Sequence, residues 1–331
     1  MVIGTTDEHH LVTSPAEISY IKIGGNISPQ MTDVTWAIRI WQSARHQYRL
    51  VTHHYTFDDD AINKMIIMRK KLSFRTVSLG TEPTIPEEDV LARWIRENRG
   101  RNADLITFLL EEGLIPQIVA EIGDICTGGR FYGNRWLECL TGIEERRVVG
   151  ELGYLSVPVM NDALDVGTLA RGARVALPAP HLLALKDSYF GDELEMQDAL
   201  SVQYRNLMRT MRDSGIAGHV LHCDRIIEHE VEMLAGKKVF FYPEKPDSAG
   251  LATLLEYQQT LAVTPEDIPL VEGLIEEYEI NRIILLDPGP EELSALLTIR
   301  DPDQIATGGY CTSGCNIYWK RLVDASTIVR Q

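Results

Sequence analysis

The sequence predicts an α/β fold made of two Rossmann-like lobes, with mainly parallel sheets around a cleft. Three observations predict it. Short apolar runs rich in β-branched residues alternate with stretches of helical period, the signature of parallel strands joined by crossover helices. At 331 residues the chain is longer than one core usually serves. The stretch Val157 to His181 is broken by Pro158, Pro178 and Pro180 and has weak periodicity, which marks a boundary. The expected division is 1–160 for an N-terminal lobe, 161–218 for a connecting segment with a long amphipathic helix, and 219–331 for a C-terminal lobe. Roughly eight strands can be counted, so a single β/α barrel is the alternative.

In the first lobe the apolar runs place strands at Ile18–Ile23, Tyr48–His53, Arg75–Leu79 and Val148–Val157. Helical spacing fills Thr32–Arg45, Asp58–Leu72, Glu87–Arg99 and Ala103–Glu112. Thr32 or Asp33 is placed to cap the first of these, and Pro86 suits a first-turn position. In the second lobe strands are expected at His219–Asp224, Lys238–Tyr242, Arg282–Asp287 and Gln304–Thr307. Helices are expected at Arg225–Leu234, Leu251–Leu261, Pro265–Tyr278, Glu291–Ile299 and Asn316–Ala325. The Asp192–Arg212 helix, with Leu194, Ala199, Val202 and Leu207 on its apolar side, suits an oligomer contact or an inter-lobe strut.

Composition narrows the function. Hydrophobic residues make up 44% and charged residues 24%, so a packed core is expected. A net charge of −16 repels DNA, RNA and anionic lipid, which argues against nucleic-acid and membrane partners. A small anionic substrate remains compatible if local cations and backbone N–H groups hold it. The five cysteines are too scattered for a disulfide framework, and the polar start with Asp7 and Glu8 is unlike a signal peptide. No apolar run approaches the ~20 residues that span a bilayer. A cytoplasmic protein with reduced thiols is expected.

Ligands of α/β sheets and barrels bind where strands end, and several expected strands here end in reactive residues. One runs into His54 and Asp58-Asp59-Asp60. Another ends in His222, Cys223 and Asp224, a third leads to Glu244, Lys245 and Asp247, and a fourth ends in Asp287-Pro288-Gly289. His54, Asp58 and Asp60, with Asp224, form a candidate ligand set for Mg, Mn or Zn. Asp58, His222 and Asp287 are candidate catalytic groups. The spacing His54-x-x-x-Asp58-x-Asp60 resembles the first motif of DHH-type phosphoesterases over these seven residues. The Asp-His-His triplet that defines that family is absent, and Asp residues at a helix start also act as caps.

Two glycine-rich stretches echo one another and suit anion binding. Thr127-Gly128-Gly129-Arg130 runs on to Arg135, and Thr307-Gly308-Gly309 runs on to Ser313 and Asn316. Neither matches a known nucleotide-binding pattern. Cys311, just before a helix start, is a candidate nucleophile, and Cys311 and Cys315 are a candidate redox or metal pair. The leading expectation is an enzyme acting on a small anionic, phosphorylated metabolite by metal-assisted hydrolysis or group transfer. The rivals are a thiolate enzyme using Cys311 with His222, a non-catalytic small-ligand binder, and a metal cluster on Cys311, Cys315 and Cys223.

Overall fold

A computed structural model describes residues 71–98 and 103–329, all within one compact unit, Asp60–Gln331. Eight strands recur through it: β1 (Arg75–Thr81), β2 (Cys126–Gly128), β3 (Arg174–Pro178), β4 (Gly218–Cys223), β5 (Val239–Pro243), β6 (Thr260–Val263), β7 (Arg282–Leu286) and β8 (Ile305–Cys311). Every pairing among them is parallel. One sheet runs β6-β7-β8-β1 and the other β2-β3-β4-β5.

The two sheets meet along both edges, so the strands follow one another in chain order around a ring. Between β1 and β2, Ser78 N–H donates to the Asp124 carbonyl at 2.8 Å and Asp124 N–H donates to Thr76 at 2.9 Å. The Gln117 side chain completes that seam, accepting from Cys126 N–H and donating to the Cys126 carbonyl. Between β5 and β6 another glutamine does the joining. Gln258 Oε1 accepts from Phe241 N–H at 2.7 Å, while Nε2 donates to the carbonyls of Phe241 and Thr260. Backbone groups on a buried strand edge need partners, and a primary amide supplies a donor and an acceptor in one side chain.

Alternation sends one set of side chains into the ring. Val77, Leu79, Cys126, Ala176, Val220, Phe240, Tyr242, Ala262, Ile284, Leu286 and Ala306 form a single buried cluster there, so the interior is packed rather than open. The opposite faces, such as Val175, Leu177, Leu221, Phe241 and Leu285, pack under the helices. Strands buried on both faces read as continuous apolar runs, which is why most were visible in the sequence.

The helices are α1 (Glu88–Glu97), α2 (Leu105–Val119), α3 (Gly133–Cys139), α4 (Val157–Leu169), α5 (Glu193–Asp213), α6 (Glu228–Leu234), α7 (Ser248–Leu255), α8 (Ile268–Leu274), α9 (Pro290–Leu296) and α10 (Cys315–Ala325). Asp104, Asp192 and Asp247 cap α2, α5 and α7 by accepting backbone N–H bonds. On α5, Leu207 is buried, while Leu194 and Val202 stay exposed.

This ring supports the barrel alternative over two lobes. Strand pairing crosses both expected boundaries, since β2 pairs with β3 and β3 with β4. The prolines that suggested a boundary punctuate element ends: Pro158 lies in the first turn of α4, Pro178 ends β3, and Pro180 starts a short 3-10 turn. β2, β3 and β6 were not expected; β6 lies partly where a helix to Leu261 was placed. The strand expected at Val148–Val157 is instead part of a hairpin, Leu140–Glu144 with Arg147–Tyr154, outside the ring. Lys71–Ser73, expected as the end of a helix, pairs antiparallel with Thr327–Val329. The elements expected at Ile18–Ile23, Thr32–Arg45 and Tyr48–His53 lie outside the described residues. Among the described residues no helix is long and apolar enough to cross a membrane.

Candidate functional site at the strand ends

Five strand ends bring ionisable side chains together at the C-terminal mouth of the ring. Glu82 follows β1, Arg130 follows β2, His222 lies near the end of β4, Glu244 follows β5, and Tyr310 lies near the end of β8. Glu82 Oε1 accepts both the Arg130 backbone N–H and the Tyr310 hydroxyl. Arg130 grips Glu244 with two parallel bonds, Nε to Oε1 at 2.8 Å and Nη2 to Oε2. His222, fully buried, lies with its ring 4.3 Å from Tyr310 and 5.1 Å from Tyr242.

The tautomer of His222 follows from its neighbours. Nε2 lies 2.8 Å from the Leu79 carbonyl, which can only accept, so Nε2 carries a proton. Nδ1 faces Glu244 Oε1 at 3.5 Å, so a proton arriving there lies against a carboxylate. Burial would raise the Glu244 carboxyl, but its bonds to His222 and Arg130 outweigh that and hold it below its ordinary value. Burial, with the Glu82 charge beside it, pushes the Tyr310 hydroxyl well up, so it stays a donor.

A second histidine follows β3, in the short 3-10 turn Pro180–Leu183. His181 Nδ1 lies 2.8 Å from Glu230 and Nε2 lies 2.8 Å from Asp224. Burial would lower its pKa, yet the two carboxylates prevail and raise it. Next to Arg130 a cavity of about 150 Å³ opens between Asn134, Arg146, Pro178 and Leu183.

The glycines of the first expected loop belong to the site because of what surrounds them. Gly128 has φ of 77°, a conformation side chains rarely adopt. A Cβ on Gly129 would lie 2.6 Å from both the Glu82 carboxyl and the Tyr310 hydroxyl. Close approach of those two groups, and of the Thr81 carbonyl at 2.9 Å, is therefore what requires glycine here.

Several expected residues have other places. Arg135 is not free for a ligand: it is buried against Asp162 at 2.8 Å and also binds Asp104 and Glu138. Thr307, Gly308 and Gly309 do not form a loop; they are buried within β8, where a Cβ on Gly308 would collide with Ile284. Ser313 and Asn316 are exposed beyond the strand. Cys311 is joined to Cys315 by a disulfide, so in this form it is no thiolate nucleophile, and the expectation of wholly reduced thiols is corrected. The free Cys126, Cys139 and Cys223 are buried, and burial pushes Cys126 up to about 12 and Cys139 up to about 11.

Asp287, at the end of β7, adopts φ of 46°, and burial pushes its carboxyl up against the opposing pull of Tyr318 and Arg321. Asp224 is engaged by His181. No group of three His, Cys, Asp or Glu side chains that could hold a metal ion occurs among the described residues. His54, Asp58 and Asp60 lie outside the described residues.

Glu82, His181, Glu230 and Tyr310 were missed by sequence reasoning. Glu82 lay three residues beyond the expected end of its strand, and His181 was hidden in the proline-rich stretch. Glu244 was visible as a strand-end residue without an assigned role.

No family model matches the chain, and no curated protein matches it in sequence. Solved structures do match. The putative vitamin-B12-independent methionine synthase of Listeria monocytogenes aligns with TM-score 0.53 at 11% identity, covering 74% of this chain and 93% of that one. The B12-independent methionine synthase of Shewanella sp. W3-18-1, in complex with selenomethionine, aligns with TM-score 0.53 at 14% identity, covering 77% and 96%. At such identities the likeness is one of fold, and the chain has the parallel, TIM-barrel-like α/β architecture of these structures.

Proposed function

We propose that the protein is an enzyme that performs acid–base group-transfer or hydrolytic chemistry on a small, carboxylate-bearing metabolite at the C-terminal mouth of the ring. The observation that carries it is the paired grip of Arg130 on Glu244. A planar guanidinium fork matches a carboxylate, and an incoming substrate carboxylate competes for the same fork. Released from Arg130, Glu244 stays beside His222 Nδ1 and can pass a proton to or from it. Tyr310, kept protonated by burial and bound to Glu82, is the complementary donor. Catalytic groups in barrel enzymes stand at strand ends in this way, which supports the reading by analogy of fold.

The test is a thermal-shift screen of carboxylate and phosphate metabolites, followed by turnover assays on the hits. A carboxylate ligand that stabilises the wild type, with stabilisation lost in Arg130→Ala and not restored in Arg130→Lys, supports the proposal. Hits that ignore both substitutions would sink it. The metal proposed from the sequence at His54, Asp58 and Asp60 is tested separately, by titrating Mg, Mn and Zn into the wild type and an Asp58→Ala/Asp60→Ala variant.

A further inference from the structure

We infer that the opposite, N-terminal mouth of the ring is a second binding site, one for a small polyanion. A cavity of about 470 Å³ opens there, a size that holds a small metabolite. Its wall carries Arg174, Lys237, Lys238 and Arg282, with Asp124 as the single acid among the lining residues. That acid is already engaged by Arg75.

Strand alternation explains how the cations converge. Ala176, Phe240 and Ile284 point into the ring, and Arg174, Lys238 and Arg282 each stand two residues earlier along β3, β5 and β7 or its approach. All three therefore face the same opening. Lys237 adds a fourth charge from the turn before β5. The molecule as a whole carries −16, so four cations around one concavity run against its general charge. Gln259 and Asn281 supply neutral hydrogen-bonding groups on the same wall, and their side chains bind each other at 2.7 Å.

A ligand with two or more phosphate or carboxylate groups matches cations contributed by separate strands.

Isothermal titration with pyrophosphate and with citrate tests this, at fixed ionic strength and in an Arg130→Ala background that removes the other anion-binding fork. Binding of either probe, weakened at least tenfold in Arg174→Gln/Arg282→Gln and again in Lys238→Gln, is the expected result. The stronger of the two probes identifies phosphate or carboxylate as the preferred group. Absence of binding by both probes at millimolar concentration, or binding unchanged in both variants, overturns the inference. The Lys238→Gln variant changes an exposed side chain, so it serves as the check if the double variant folds poorly.

Discussion

At the scale of single residues, His181 carries a pH dependence of its own. Its pKa is raised, so the folded state holds its proton more tightly than the unfolded chain does. The stability this contributes is full below the ordinary histidine value of about 6.5 and is lost as pH rises through the raised value. Urea midpoints of wild type and His181→Gln should differ most near pH 5 and converge by pH 9; a constant difference would rule out the linkage. Arg135 offers a second test. Asp162→Ala strips a buried guanidinium of its buried partner and should cost about 3 kcal/mol in chemical denaturation. A loss well under 1 kcal/mol would show that Asp104 and Glu138 suffice. Arg130, His222, Gly128 and Gly129 were legible in the sequence because glycines and strand ends mark such positions. Thr307 to Gly309 misled for the same reason: inside β8 the absent side chain makes room for Ile284, a long-range packing demand with no local signature.

At the scale of elements, the turn from β8 to α10 is closed by the Cys311–Cys315 disulfide, directly after Tyr310. The Cys311 carbonyl also accepts the Glu82 N–H at 2.7 Å, so the bridge borders two site residues. For so short a loop the chain-entropy contribution is about 2 kcal/mol. Reduction, or Cys315→Ser, should lower the melting temperature by several degrees, and an unchanged value would show the bridge to be idle. Most strands beyond β3 were legible because both their faces are buried. β2 was not, because three residues carry too little pattern, and its edge relies on the distant Gln117. β3 was lost among prolines whose role is to end elements. The hairpin outside the ring was half visible, its apolar run being real but its partners lying elsewhere.

At the scale of the whole molecule, a closed ring and two lobes predict different unfolding. Trp136 in α3 and Trp319 in α10 are both fully buried, one beside the β2-β3 half and the other beside β8 and β1. Fluorescence from Trp319→Phe and Trp136→Phe variants, each compared with circular dichroism of the same variant, should report one coincident denaturation transition. Separate midpoints would indicate halves that melt independently. Five of the eight strands counted in the sequence lie in the ring, and β2, β3 and β6 complete it. What the sequence does not display is closure, because closing a ring depends on edges that meet only after every intervening element has folded.

The seam between β5 and β6 carries a consequence for solvent. Over most of the ring an amide proton is released only when two strands part, a collective event. Phe241 N–H is held by a single side chain, and turning Gln258 about its own bonds uncovers it while both strands stay in place. Deuterium should therefore reach Phe241 orders of magnitude sooner than Val220 or Leu221 on the neighbouring strand. The wall of this ring has a door, and its hinge is one glutamine.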